Sequence, residues 1–176
     1  AAPVKIAKNN LEDYEPRYLL INAGNANAGT GEQGIFNTNS TCQSLAELVD
    51  CNSGQVLPFS TGVIGEDLPV GKINQSLPTL ISKLTDDAWL EAAQAIMTTD
   101  TIPKAISKKV NIKGVDITIT GIAKGAGMIK PNMATMLSFI ATDANIDKNS
   151  LNKILINAVN KSFNRITIDG DTSTND

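Results

Sequence analysis

The chain of 176 residues contains no histidine. Without an imidazole neither a Ser-His nor a Cys-His catalytic pair can be assembled, so an activated hydroxyl must borrow its base from a lysine, a carboxylate or its own α-amine. Cysteine is nearly absent as well. Cys42 and Cys51 are the only two, too few for a disulfide framework and, without histidine, unable to complete an ordinary zinc site. Both are expected to be reduced and structural. Neither sign of charge dominates: 15 Lys and Arg against 18 Asp and Glu give a formal net charge of -3. The basic residues are scattered, which argues against nucleic acid or an anionic membrane as partner and leaves room for small anionic substrates. No apolar run approaches the roughly 20 residues that span a bilayer, and the first residues carry no signal-peptide pattern. A soluble protein of the cytosol or of an organelle is expected.

Hydrophobic residues make up 41% of the chain, enough to bury one substantial core, so a single domain over 1–176 is expected. The chain opens on AAPVKI without an initiator Met and ends in TIDGDTSTND, a polar motif directly after an apparent strand. A middle portion of a longer precursor is therefore expected.

Tyr18 to Asn22 reads as a short strand, followed by the Gly- and Asn-rich loop AGNANAGTGEQG and an amphipathic helix through about Val49, with Leu45, Ala46, Leu48 and Val49 as apolar positions. Gln55 to Phe59 is the next strand, running into a tight loop STGVIG that Gly62 and Gly65 permit. Two helices are predicted, about Val70 to Leu84 and Asp87 to Met97, with Asp86 or Asp87 capping the second. Lys108 to Ile112 and Val115 to Thr120 flank Lys113-Gly114, and the alternation of Val110, Ile112, Val115, Ile117 and Ile119 predicts a hairpin with one buried face. Thr135 to Thr142 reads as a further strand. Ser150 to Phe163 carries Leu151, Ile154, Leu155, Ala158 and Val159 at helical spacing. Hairpin pairing mixed with helices indicates an α/β class with a mixed, largely antiparallel sheet.

The segment Lys124 to Leu137, KGAGMIKPNMATML, holds the hydroxyl candidate Thr135. If its base is its own α-amine, the chain must break just before Thr135. Gly29, Gly31 and Gly34 match G-x-G-x-x-G, but the first glycine lies seven residues beyond Asn22 and the second strand ends in Phe59-Ser60, with no acidic residue for a ribose. A structural loop is the expectation over a dinucleotide site. Asp169, Asp171 and Ser173 resemble a strand-end D-x-D-x-T or a calcium loop, yet Ser173 stands where the first pattern wants Thr or Val, and Thr174 where the second needs Gly. A polar turn at a site wall is expected, and no metal. Thr61 and Gly62 have the chemistry to offer a hydroxyl and a backbone N-H to a developing oxyanion, though alone they make only a turn. Thr98, Thr99 and Thr101 with Asp100 read on their own as a helix end, and Lys124 and Lys130 as solvated lysines.

Taken together, INAGNANAGTGEQG at 21–34, STGVIGEDLP at 60–69, MTTDTIPK at 97–104, KGAGMIKPNMATML at 124–137 and DGDTSTND at 169–176 closely resemble the ornithine acetyltransferase family of arginine biosynthesis. The resemblance runs along the whole chain, whereas family members are more than twice as long. It implies layered sheets and helices of the self-cleaving N-terminal-nucleophile type. It further implies a precursor cut between Ala134 and Thr135, with 1–134 ending an α chain and 135–176 beginning a β chain. Thr135 would then be the nucleophile that carries acetyl from N2-acetylornithine to glutamate, Thr61 and Gly62 the oxyanion hole, and Thr98, Lys124 and Thr135 the substrate contacts. No cofactor is implied, although some members also take acetyl from acetyl-CoA. A heterotetramer of two α and two β chains is expected, cytoplasmic in bacteria and in the mitochondrial matrix in fungi. Two other readings remain: a related N-terminal-nucleophile aminopeptidase or amidohydrolase that releases the acyl group to water, and a non-catalytic nucleotide- or metal-binding module.

Overall fold

The computed structural model describes residues 1–130 and 135–173. The described residues divide into two compact units, 1–88 and 89–173. Length and composition carried no sign of that division.

The first unit is a helix followed by a βαβ element and a further helix. Helix α1 (Ala2–Asp13) starts with Pro3 in its first turn, where a missing N-H costs nothing. Its polar sequence hides the signal, for Ala2, Pro3 and Ile6 are its buried residues and no helix was expected there. Strand β1 (Tyr18–Asn25) pairs in parallel with β2 (Val56–Val63), from Tyr18 against Val56 to Gly24 against Gly62. Between them runs α2 (Gly31–Leu48). It begins earlier than the Gly-rich stretch suggests, so Gly31 and Gly34 belong to the helix. Helix α3 (Val70–Ser82) packs on α2. Cys42, Leu45 and Ala46 of α2, Val56 of β2 and Leu77 of α3 form the core, flanked by Tyr18, Leu20, Val49, Ile73 and Ile81. Burying a side chain such as Leu77, which is 1% exposed, contributes about 1.5–3 kcal/mol.

The second unit holds α4 (Trp89–Ala95), an antiparallel sheet in the order β3 (Lys104–Ile112), β4 (Val115–Lys124), β5 (Leu137–Thr142), and α5 (Lys148–Lys161). Asp87 does not cap α4 as expected: the helix starts at Trp89, and the Asp87 carboxylate accepts the Thr85 hydroxyl at 2.6 Å. The β3-β4 hairpin turns at Lys113 and Gly114, both at positive φ (52° and 86°), the pair of left-handed residues a two-residue turn of this hand requires. Asp147 caps α5, accepting the N-H groups of Asn149 and Ser150. The α/β class is borne out, with the mixed pairing resolved into one parallel and one antiparallel sheet.

The buried hairpin face is corrected. Directly opposed residues share a face, so the register puts Ile106, Val110, Ile112, Val115, Ile117, Ile119 and Ile140 on one side of the antiparallel sheet. Every residue of β3 is exposed, and Val115 and Ile140 retain 62% and 54% of their surface. The alternation is real, but this chain as described does not cover it.

Candidate active site

In the first unit the candidate residues lie where β1 and β2 end. Thr61 and Gly62 were expected in a loop after the strand; they are part of β2 itself. Their surroundings depart from a regular ladder, because Asn25 faces both Thr61 and Val63 across a bulge. Gly62 has φ 134°, and a Cβ built there would stand 2.3 Å from the Gly24 carbonyl carbon. Only glycine lets the two backbones come so close. Thr61 is 3% exposed.

The asparagines of INAGNANAG hold this strand end in place. Asn22 Oδ1 accepts the Ser60 hydroxyl at 2.5 Å across the parallel pair. Asn25 accepts the Asn27 N-H through Oδ1 and donates through Nδ2 to the carbonyls of Glu66 and Asp67. Asn27, fully buried, donates to the Gly34 carbonyl and to Thr38 Oγ1 at 2.7 Å and accepts the Thr30 hydroxyl. A Cβ at Gly34 would meet Thr30 Oγ1 at 1.9 Å and Asn27 Oδ1 at 2.7 Å. The glycine loop is thus occupied with its own polar network, as the structural reading of G-x-G-x-x-G anticipates.

The second unit contains Thr98, Lys124 and Thr135. Lys124 closes β4 opposite Leu137 and is 5% exposed. Expected to be solvated on its own, it is instead buried, which lysine tolerates only with polar partners. Gly125 follows at φ 150°, where a Cβ would lie 3.4 Å from that of Met136, next to Thr135. Asp100 ties this loop to Thr98: its Oδ1 accepts the Gly125 N-H at 2.8 Å and the Lys104 ammonium, and its Oδ2 accepts the Thr98 N-H at 3.4 Å. Burial pushes the Asp100 carboxyl up, but the hydrogen bonds from Lys104, Gly125 and Thr98 and the charge of Lys104 outweigh it, so the group lies below the usual carboxylate value. The sequence around Asp100 reads as a helix end, because a lone aspartate among threonines gives no sign that it is buried.

Thr135 precedes β5 with φ 64°, a strained conformation for a β-branched residue. Its Oγ1 accepts the Ser173 N-H at 2.6 Å. The chain around it is pinned from the other side: Ile129 and Ile168 exchange backbone hydrogen bonds, and Asp169 Oδ2 accepts the Met128 N-H at 2.8 Å. Asp169 Oδ1 also accepts the Asp171 N-H. Asp169 (φ 62°) and Gly170 (φ 75°) form the left-handed turn this needs, so the D-G-D motif builds a wall beside Thr135. Among the described residues no group of three or more Cys, Asp or Glu side chains is placed to hold a metal ion. Ala134, the other side of the expected cleavage point, lies outside the described residues.

The α/β fold is shared with two solved structures. One is the crystal structure of the arginine biosynthesis bifunctional protein argJ from Bacillus halodurans (TM-score 0.66, 33% identity, covering 78% of this chain and 71% of that one). The other is an ornithine acetyltransferase complexed with ornithine from Mycobacterium tuberculosis (TM-score 0.63, 31% identity, covering 80% and 72%). The ArgJ family model matches residues 1–176, and the chain belongs to the ArgJ family. Proteins called arginine biosynthesis bifunctional protein ArgJ from Pseudomonas fluorescens and Methylococcus capsulatus are 56% and 54% identical over all 176 residues. The chain spans 43% of the length of each.

Proposed function

We propose that the protein to which this chain belongs is an ornithine acetyltransferase that cuts itself between Ala134 and Thr135 and then works through an acetyl-Thr135 intermediate. The observation that carries the reading is the geometry of Thr135. A non-glycine residue in the left-handed region costs about 1–3 kcal/mol. The torsion concerned runs through the carbonyl carbon of Ala134, so breaking that peptide bond abolishes it and releases the strain. The Ser173 N-H aimed at Oγ1 favours negative charge on that oxygen as its proton leaves.

In the precursor the Thr135 hydroxyl attacks the Ala134 carbonyl, and the acyl group shifts from nitrogen to oxygen. Water then hydrolyses the ester, leaving the Ala134 carboxylate and a free Thr135 α-amine. An α-amine with an ordinary pKa of about 7.7–8.0 takes the hydroxyl proton near neutral pH, which replaces the missing histidine. Thr135 Oγ1 next attacks the acetyl carbonyl of N2-acetylornithine. Thr61 and Gly62 stabilise the oxyanion, the ornithine amine leaves with a proton, and the amine of glutamate takes the acetyl group in the second half. Lys124 pairs with a substrate carboxylate and Thr98 lines the same subsite. No cofactor is needed; acetyl-CoA serves as a second acetyl donor, in keeping with the word bifunctional in the relatives' names. The assembly is two α and two β chains. The named relatives are bacterial, which favours the cytoplasm over the mitochondrial matrix.

The test is an intact mass of the full-length protein with N-terminal sequencing, followed by an acetyl-transfer assay. A piece beginning Thr-Met-Leu-Ser and acetylglutamate formed from acetylornithine are expected. Thr135→Ala should abolish both, whereas Thr61→Ala should slow transfer by about 100- to 1,000-fold with the fold intact. Processed, active Thr135→Ala refutes the nucleophile; acetate released to water without acetylglutamate makes the protein a hydrolase.

A further inference from the structure

Asp100 is the most tightly held carboxylate in the second unit, and the acetyl-transfer reading assigns it nothing. Its side chain is fully buried while that of Lys104 is 43% exposed. If the carboxylate existed for the ion pair alone it would do little, since a partly solvated pair contributes at most a small amount. Its other two partners are backbone N-H groups at Thr98, two residues before it, and at Gly125, 25 residues after it. The Gly125 N-H is buried, and an orphaned buried donor is expensive. Gly125 also has no side chain to fix it, because a Cβ there would fall 2.7 Å from Ile129 Cδ1. The backbone that follows Lys124 therefore depends at Gly125 on an acceptor supplied from elsewhere.

We propose that Asp100 is a positioning residue, whose carboxylate clamps the backbone at Thr98 and Gly125 and so sets the subsite formed by Thr98 and Lys124. This rests on the acetyl-transfer reading for the meaning of that subsite, though not for the clamp. Three donors converge on two oxygens, and only a carboxylate accepts at both positions. An asparagine offers one acceptor, and its NH2 must face either the Thr98 N-H or the Gly125 N-H and the Lys104 ammonium, donor against donor. The lowered carboxyl of Asp100 agrees with a group held in its charged form by these donors.

The experiment compares wild type, Asp100→Asn, Lys104→Met and the double variant in the full-length protein. It measures KM and kcat with N2-acetylornithine, self-cleavage, and hydrogen exchange of the segment 124–130. Asp100→Asn should raise KM by about 10- to 100-fold with a smaller fall in kcat, keep cleavage, and speed exchange of that segment. Lys104→Met should stay within about threefold of wild type in KM, with exchange unchanged. The double variant leaves no uncompensated cation, so it controls for a stability defect, and its KM should remain raised. Wild-type KM and exchange in Asp100→Asn, or a Lys104→Met variant as impaired as Asp100→Asn, overturns the clamp. A wild-type protein without acetyl transfer instead defeats the functional reading, and the exchange comparison then decides the clamp by itself.

Discussion

Replacing Gly62 by alanine adds one methyl group at the tightest backbone approach in the first unit. The new carbon would lie 2.3 Å from the Gly24 carbonyl carbon, 2.6 Å from the Asn25 nitrogen and 2.7 Å from Gly24 Cα. Ordinary carbon contacts begin near 3.5 Å, so β1 and β2 must part by about 1 Å. The neighbours are main chain and cannot swing aside as a side-chain end would. Forced overpacking costs about 1–3 kcal/mol, and holding alanine at φ 134° adds about 1–3 kcal/mol, so roughly 2–6 kcal/mol in all. In a cooperative unit of about 150–250 residues that lowers Tm by roughly 4–24 °C, and by proportionately less in a larger one. Thermal unfolding of the full-length variant measures it, with Gly71→Ala as the control: Gly71 lies in α3, has nothing within 4 Å of a Cβ, and should be neutral or stabilising by up to about 1 kcal/mol. If Gly62→Ala melts with the control, the close approach is not a constraint and the account of this strand end fails. On the proposed mechanism the same shift misplaces an oxyanion donor, for a further loss of transfer of about 2.7–4 kcal/mol in the barrier.

The two cysteines should part company toward thiol reagents. Burial pushes the Cys42 thiol up to about 12, so at pH 8 the native protein should label at the partly exposed Cys51 and spare Cys42; mass mapping that finds both labelled at equal rates refutes the packing of α2 on β2. Acid should weaken the second unit through Asp100. Its folded value lies below the ordinary 3.8, so the charged form stabilises the fold above that ordinary value, and this contribution disappears as pH falls through the lower folded value. Tm followed from pH 6 to about pH 3 should fall less steeply in Asp100→Asn than in wild type, and parallel curves would contradict the assignment.

The parts of the fold that were legible are those where local pattern and tertiary role coincide. The β1, α2, β2 order follows from short apolar runs around a polar loop, and Lys113-Gly114 announces the hairpin. Helix α1 was missed because only Ala2, Pro3 and Ile6 of its twelve residues are buried, too few to make a periodic stripe. Thr61 and Gly62 read as a loop in the sequence since glycine commonly ends a strand, whereas here it admits a neighbouring backbone. Parallel pairing of β1 and β2 lies in no local signal; it follows only from the helical crossover between them. Thr135 could be picked out by its motif, but its strained torsion, the Ser173 N-H and the burial of Lys124 depend on segments far apart in sequence. Asp100 shows the limit most plainly: its partners at Lys104 and Gly125 give it its meaning, and the residues beside it do not.

The bare face of the antiparallel sheet has a practical side. Strands β3 and β5 are its outer strands, and β3 carries Lys104, Lys108 and Lys109, charges of the sort that discourage one sheet edge from adding to another. The flat side has only Lys104 and Lys108 as such guards, since the register sets both on the face of the isoleucines. Produced as an isolated fragment, this chain should therefore stack face to face into soluble clumps or inclusion bodies before it forms fibres, and bind a hydrophobic dye strongly. Work on the Thr135 site is better begun with the full-length protein.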